Sequence, residues 1–143
     1  MSFDLQIINN DLVINNGALG LVQDSQKLIQ DILKMCLTDA GTNPMFPWYG
    51  SFLTKSIIGT ALDTSILVQI GKSQLTTSLQ NLKNLQEAQV KSLQRMSADE
   101  QIGTISDISI IRNQIDPRLF VVVVKVITKG LKPITTKFNV STI

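Results

Sequence analysis

Apolar and polar positions alternate from the start of the chain, where residues 3–17 read FDLQIINNDLVINNG. A period of two around Asn9, Asn10 and Asp11 predicts a short β-hairpin, with Asn15, Asn16 and Gly17 as a second turn. A short apolar piece, ALGLV, follows. The period then lengthens. In DSQKLIQDILKMCL, Leu28, Ile29, Ile32, Leu33 and Cys36 share one face at helical spacing, with Asp24 or Ser25 as the cap. Lys27 and Asp31 fall on other faces. Thr38, Asp39, Ala40 and Gly41 stop the helix, and Gly41 suits a left-handed terminal position.

Past the stretch TNPMFPWYGSFL, the segment SFLTKSIIG reads as a short helix or irregular piece ended by Gly59. Helical spacing resumes near Asp63 with Leu62, Ile66, Leu67 and Ile70, and Gly71 either breaks or only weakens the helix. Leu75, Leu79, Leu82, Leu85, Leu93 and Met96 then form a narrow apolar stripe on a segment rich in Gln and Lys. Such a stripe suits a helix that touches its domain along one seam and is otherwise solvated or bound to a partner. The helix is expected to end near Met96, and Ser97 to Glu100 has the form of a capping box.

From Thr104 the pattern is strand-like. TISDISIIRN leads to a turn at Asp116-Pro117, then RLFVVVVKVITKG, then KPITTKFNVSTI. The unbroken LFVVVV predicts a central strand buried on both faces. Lys129-Gly130 reads as a tight hairpin turn. In the last strand Ile134, Thr136, Phe138 and Val140 share one face. The expected fold is α+β: one domain over residues 1–143, with a small mixed β-sheet, a C-terminal antiparallel meander and amphipathic helices packed on it. No internal repeat is evident.

Composition narrows the function. The 143 residues suffice for one ordinary core. The net charge of +2 gives no case for nucleic acid. Charge is nevertheless uneven: the first 26 residues hold Asp4, Asp11 and Asp24 and no cation. From Pro117 onward there are Arg118, Lys125, Lys129, Lys132 and Lys137 and no acid. These ends can attract each other within one fold or attract neighbours in an assembly. No apolar run approaches the ~20 residues of a membrane helix, and MSFDLQ lacks a secretory signal, so a soluble protein is expected.

Histidine is absent, which removes Ser-His-Asp, Cys-His and His-metal chemistry. Cys36 is the single cysteine and reads as a small core residue. No phosphate-binding glycine motif occurs. A carboxylate pair is the surviving enzymatic option. Glu87, within the Gln-rich segment, and Glu100, in the capping box, are the only glutamates, and both have structural explanations. No catalytic residue, cofactor or metal is therefore expected. The final strand, if it lies at an edge, offers backbone groups for another chain to extend, unless Lys137 guards it.

Residues 42–53 stand apart. They hold Trp48 and Tyr49, each the only one of its kind, with two of four prolines and two of five phenylalanines. LTDAGTNPMFPWYGSFL after an amphipathic helix resembles the gene-25-like baseplate wedge family of contractile-tailed phages and related injection machines. Leu37 and Thr38, then Gly41, then Pro47, Tyr49, Gly50 and Leu53 match that family's frame. Thr42 and Asn43 stand where many members carry Glu-Arg, which shifts the implied contact from charge pairing towards apolar packing and neutral hydrogen bonds. The resemblance implies a virion tail baseplate part, assembled in the host cytoplasm, in several copies in a ring. It implies docking to larger wedge proteins through Gly41, Thr42, Asn43, Pro47, Trp48, Tyr49, Gly50 and Leu53. It also implies a platform for tail sheath protein through strand sharing at Ile134, Thr136, Phe138 and Val140. Tyr49 and Leu53 are expected to be partly buried, and Trp48 to anchor in a partner. A peptidoglycan-cleaving lysozyme and a stand-alone adaptor are the alternatives.

Overall fold

A computed structural model describes residues 2–57 and 63–141. Gly59 and Leu62 lie outside the described residues. The C-terminal half forms an antiparallel meander of three strands: β7 (Ile102–Arg112), β8 (Leu119–Thr128) and β9 (Pro133–Ser141). Two helices, α1 (Asp24–Leu37) and α3 (Thr64–Lys91), carry the apolar stripes packed on it, with short α2 (Leu53–Ile57) between them. The fold is α+β, as the change of period from 3.6 to 2 implies.

The core is one contiguous cluster. Phe120, Val122, Val124 and Val126 of β8 face Leu28, Ile32 and Met35 of α1 and Leu75 and Leu79 of α3. In β9 the side chains of Ile134, Thr136, Phe138 and Val140 all turn inward, as their alternation predicts. The apolar run in β8 behaves differently from expectation. The strand is central, but only one face is covered: Leu119, Val121, Val123 and Ile127 on the other are partly exposed. A period-two pattern was hidden because both faces happen to be aliphatic.

Gly71 does not break α3. It lies buried in the helix, where a Cβ would come within 2.7 Å of Ile110 Cδ1, so its smallness lets the helix approach β7. The helix ends at Lys91, earlier than the expected Met96. Gln94 N donates to Gln89 O and Leu93 N to Val90 O, with Leu93 at φ 67°, which is a Schellman ending without its usual glycine. Leu93 thus leaves the apolar stripe and is 91% exposed. The β8–β9 connection also departs from the expected two-residue turn: Thr128 N donates to Lys132 O, and Leu131 rather than Gly130 takes positive φ.

At the N-terminus, six short strands make three antiparallel pairs: β1 (Phe3–Leu5) with β6 (Leu21–Gln23), β2 (Ile7–Ile8) with β3 (Asp11–Leu12), and β4 (Ile14–Asn15) with β5 (Ala18–Leu19). Asn9-Asn10 and Asn16-Gly17 turn with positive φ at both centres, the geometry that two-residue hairpins need. This arm is tied down by polar contacts. Buried Gln30 of α1 accepts from Ile7 N and donates to Leu5 O and Asp4 Oδ2. Asp4 also pairs with Lys34. Neither Asp24 nor Ser25 caps α1; Asp24 Oδ1 instead accepts from Ser97 Oγ at 2.8 Å.

Glu100 does reach back to Ser97 N, the glutamate half of a capping box. It is fully buried and also accepts from Ser2 N and Ser2 Oγ. Next to it, buried Gln86 of α3 bridges Glu100 O and Ile102 N. Among the described residues, Thr136 Oγ1 is the buried side-chain polar atom without a hydrogen-bond partner. A buried hydroxyl left unpaired costs about 1–3 kcal/mol. Thr136→Val should therefore raise unfolding free energy by about 1 kcal/mol, read by urea denaturation with an unchanged m-value.

Candidate interaction site

Residues 38–53 form a strapped loop rather than a free one. Ser51 N donates to Thr38 O at 2.8 Å, Ala40 N to Ser51 O at 3.1 Å, and Ser51 Oγ to Cys36 O at 2.6 Å. These bonds close the loop's base against the end of α1. Gly50 is required there: its φ is 109°, and a Cβ would sit 2.5 Å from Thr38 O. Leu53 starts α2 and is wholly buried in the core, touching the helices and sheet that carry the fold. Gly50 is buried as well.

The tip is organised by its own polar groups. Gly41, at φ 88°, donates to Pro47 O at 3.1 Å, crossing the loop. Thr42 Oγ1 donates to Asp39 O at 2.7 Å. Asn43 Oδ1 accepts from Met45 N at 3.0 Å and Phe46 N at 3.3 Å, a side chain standing in for a turn carbonyl. Asn43 and Thr42 therefore hold the loop's shape from within. Lys55 Nζ reaches Ala40 O at 3.3 Å from α2.

With several of its backbone groups paired internally, the loop presents side chains outward. Met45 is 79% exposed, and Phe46, Trp48 and Phe52 are each 42–51% exposed. The Phe46 and Trp48 rings meet edge to face with centroids 5.7 Å apart, and Tyr49 adjoins Trp48 at 6.4 Å. Lys55 lies over the Phe52 ring at 5.8 Å. Beside Trp48, a hollow of about 270 Å³ opens against Asn81, Asn84, Leu85 and Ala88 of α3. Phe46, Trp48 and Tyr49 thus form one run of adjoining rings along the loop.

The loop residues named from sequence thus divide. Trp48, Pro47, Thr42 and Gly41 are exposed; Asn43 and Tyr49 are half-buried; Gly50 and Leu53 are buried and cannot meet a partner through their own atoms. Leu53 was expected to be partly buried, but the core closes over it completely. Met45, Phe46 and Phe52 carry much of the exposed apolar area and lie outside the matched frame. The strand residues Ile134, Thr136, Phe138 and Val140 are likewise buried, so of these four a neighbour could meet only the backbone, while Thr135, Lys137 and Asn139 alternate outward along edge strand β9.

Electrostatics around the loop are modest. Burial, with the charges of Asp31 and Asp4 nearby, raises the Tyr49 phenol above its ordinary 10.0. Burial also raises the Asp31 carboxyl, against the pull of Lys27 at 2.8 Å. For Asp4 burial acts upward too, but the Lys34 bond and charge outweigh it and the net shift is down. Burial pushes the Cys36 thiol up to about 12, so no reactive thiolate forms there. Among the described residues, no group of His, Cys, Asp or Glu could hold a metal ion, and no helix is long and apolar enough to cross a membrane.

Compared with known proteins, the chain matches no family model and no curated sequence. Its fold, however, is similar to the crystal structure of a protein from Geobacter sulfurreducens provisionally described as a tail lysozyme. The TM-score is 0.55 at 8% sequence identity, over 81% of this chain and 88% of that one. At that identity the likeness establishes a shared fold.

Gly50→Ala should cost about 3 kcal/mol or more, because strained φ and a backbone clash coincide, and should erase the near-ultraviolet circular dichroism of the Phe46–Trp48 pair. Tyr49 is the single tyrosine, so ultraviolet titration of tyrosinate reads it alone. The midpoint should lie above 10.0 in the folded protein and return to that value in concentrated guanidinium. Because the folded state holds this proton more tightly, stability is complete below the unfolded pKa and falls as pH rises through it.

Proposed function

We propose that this chain is a structural, non-catalytic part of a contractile tail baseplate. It binds larger wedge proteins through the exposed tip of the 42–53 loop and offers the edge of β9 to tail sheath protein for the first sheath ring. Several copies act in a ring around the tail. The observation that carries this reading is the exposed Met45, Phe46, Trp48 and Phe52 surface on a loop whose base is strapped to the core. Preorganisation of this kind lowers the entropic cost of docking. The fold shared with a protein described as belonging to a tail supports the same assignment, as does the match of Pro47, Tyr49 and Gly50 to the wedge-family frame.

The neighbour's description supports a second reading, a cell-wall hydrolase. Glu100 is fully buried with its oxygens engaged by Ser2 and Ser97, and Glu87 is half-buried on α3, which leaves no glutamate pair free to flank a glycosidic bond. Purified chain should leave cell-wall turbidity unchanged; turbidity loss abolished by Glu87→Gln would replace the structural reading.

Phe46→Ala with Trp48→Ala should leave folding intact and reduce wedge co-assembly at least tenfold, scored by sedimentation of assembly intermediates; normal assembly rejects the loop as the docking site. At the other end of the molecule, Lys137→Cys should cross-link to sheath protein in assembled tails. Cys36, buried and largely protonated, stays silent in that assay.

A further inference from the structure

The N-terminal arm, residues 2–23, adds nothing to the main core cluster, which begins at Leu28. Among the described residues of the arm, Val22 alone is buried. Leu5, Ile7, Leu12, Ile14, Leu19 and Leu21 are 36–67% exposed. The arm is held together from within instead. Gln6 N donates to Gly20 O, Gly20 N to Val13 O, and Val13 N to Gln6 O, at 2.7–3.1 Å. Gln6 lies between β1 and β2, Val13 between β3 and β4, and Gly20 between β5 and β6, so this ring of backbone bonds ties the three strand pairs into one body. A segment bonded within itself and sharing little apolar contact with its neighbours can open separately from the rest of a fold.

The two ends of the arm are anchored at one place. Ser2 N and Ser2 Oγ donate to the buried Glu100 carboxyl at 3.2 and 2.7 Å, and Ser97 Oγ donates to Asp24 Oδ1 at 2.8 Å. Both anchors belong to the single turn that runs from Ser97 to Glu100. Asp24, the first residue of α1, has φ 52°, a left-handed value uncommon outside glycine, which breaks the chain between arm and helix. Away from this root the arm meets α1 through a polar latch. Gln30 reaches Ile7 N, Leu5 O and Asp4 Oδ2, and Lys34 pairs with Asp4. Gln30 also lines two hollows in this interface. One of about 400 Å³ separates Asn9 and Asn10 from Leu33 and Leu37, and one of about 300 Å³ separates Gln6 and Val22 from Gln26 and Ile29. Close-packed interiors hold few voids larger than a water molecule, so the arm is not packed onto α1 as the core elements are packed together.

We infer that the arm swings on the body as a rigid lobe, hinged at Ser2 and Asp24, between the docked state and an open state, with Gln30 and the Asp4–Lys34 pair as the latch that holds it closed. Opening breaks the latch bonds and keeps the ring, the root anchors and the core cluster. Hinges of this kind are a few residues at the ends of elements, which is where Asp24 lies. The larger hollow is also lined by Thr38, whose carbonyl holds the 42–53 loop at Ser51 N. The swing therefore changes the surroundings of the loop's base. The inference rests on the arm's contacts and not on the tail reading, and it is tested on the purified chain alone.

Amide hydrogen exchange on the full chain separates the states. Ile7 N, bonded to Gln30 Oε1, reports the latch; Gln6, Val13 and Gly20 report the ring; Val122 and Val124 report global unfolding. Protection at Ile7 should be about tenfold below that of the ring amides, because a local opening costs less than unfolding. Lys34→Met keeps the aliphatic stem and removes the charge. It should lower Ile7 protection about threefold, the contribution of a partly exposed ion pair, and leave the ring and β8 amides unchanged. Time-resolved energy transfer from Trp48, the single tryptophan, to a dye on Ala18→Cys then reads the swing itself. Cys36 is buried and escapes the dye. Removing the whole latch with Gln30→Leu and Lys34→Met should move the population to a second distance. One unchanged distance overturns the inference, since Gln30 then flips while the arm stays in place. A common exchange rate for Ile7 and the ring also overturns it, since the arm then unfolds. So does Ile7 protection equal to that of Val122 and Val124, since the arm then opens only with the whole fold. If the double variant fails to fold, Lys34→Met alone and added salt on the unaltered chain replace it, and an unchanged Ile7 in both overturns the latch.

Discussion

Everything in this molecule depends on covering one face of β8. Phe120, Val122, Val124 and Val126 are all but inaccessible to water, and two helices from distant parts of the chain meet over them. Burial of four such side chains is worth several kcal/mol, and it fixes where α1 and α3 lie. Because α1 is fixed, its last turn is fixed, and the base of the 42–53 loop is strapped to that turn. The loop's exposed aromatics thus inherit their position from a sheet that they do not touch.

The strap itself is a backbone device. Ser51, Ala40 and Thr38 exchange hydrogen bonds as in a ladder, with Asp39 and Ser51 forming an isolated parallel bridge. Only a residue without a Cβ passes between Thr38 O and the chain at position 50. Thr42 and Asn43 then complete the tip with side-chain bonds to Asp39 O, Met45 N and Phe46 N. The loop's internal contacts are neutral hydrogen bonds, apart from Lys55 Nζ reaching Ala40 O.

Much of this was legible in the sequence. The 3.6 period of Leu28, Ile32 and Cys36, and the alternation of Ile134, Thr136, Phe138 and Val140, reported burial because each element has one wet face. LFVVVV misled for the converse reason: aliphatic residues on both faces erase the pattern, and only the sheet's position at the molecular surface shows which face is open. The end of α3 was misplaced because Leu93 looks like a stripe residue, yet takes a left-handed conformation that only the hydrogen bonds reveal. Within the loop, the aromatic content pointed to a stretch whose large side chains are exposed. The frame match pointed to Leu53 and Gly50, whose burial makes them supports rather than contacts. Gln30 and Gln86 were invisible, since a polar residue on a helix reads as solvated until its backbone partners are known.

The arm and the meander offer two opposite kinds of surface. Strand β9 presents a long backbone edge, where almost any extended segment can add itself whatever its side chains. The arm has pairs of only two or three residues, joined at their centre by a ring of backbone bonds among Gln6, Val13 and Gly20. What the arm presents is instead six exposed aliphatic side chains, a surface defined by shape where β9 is defined by its backbone.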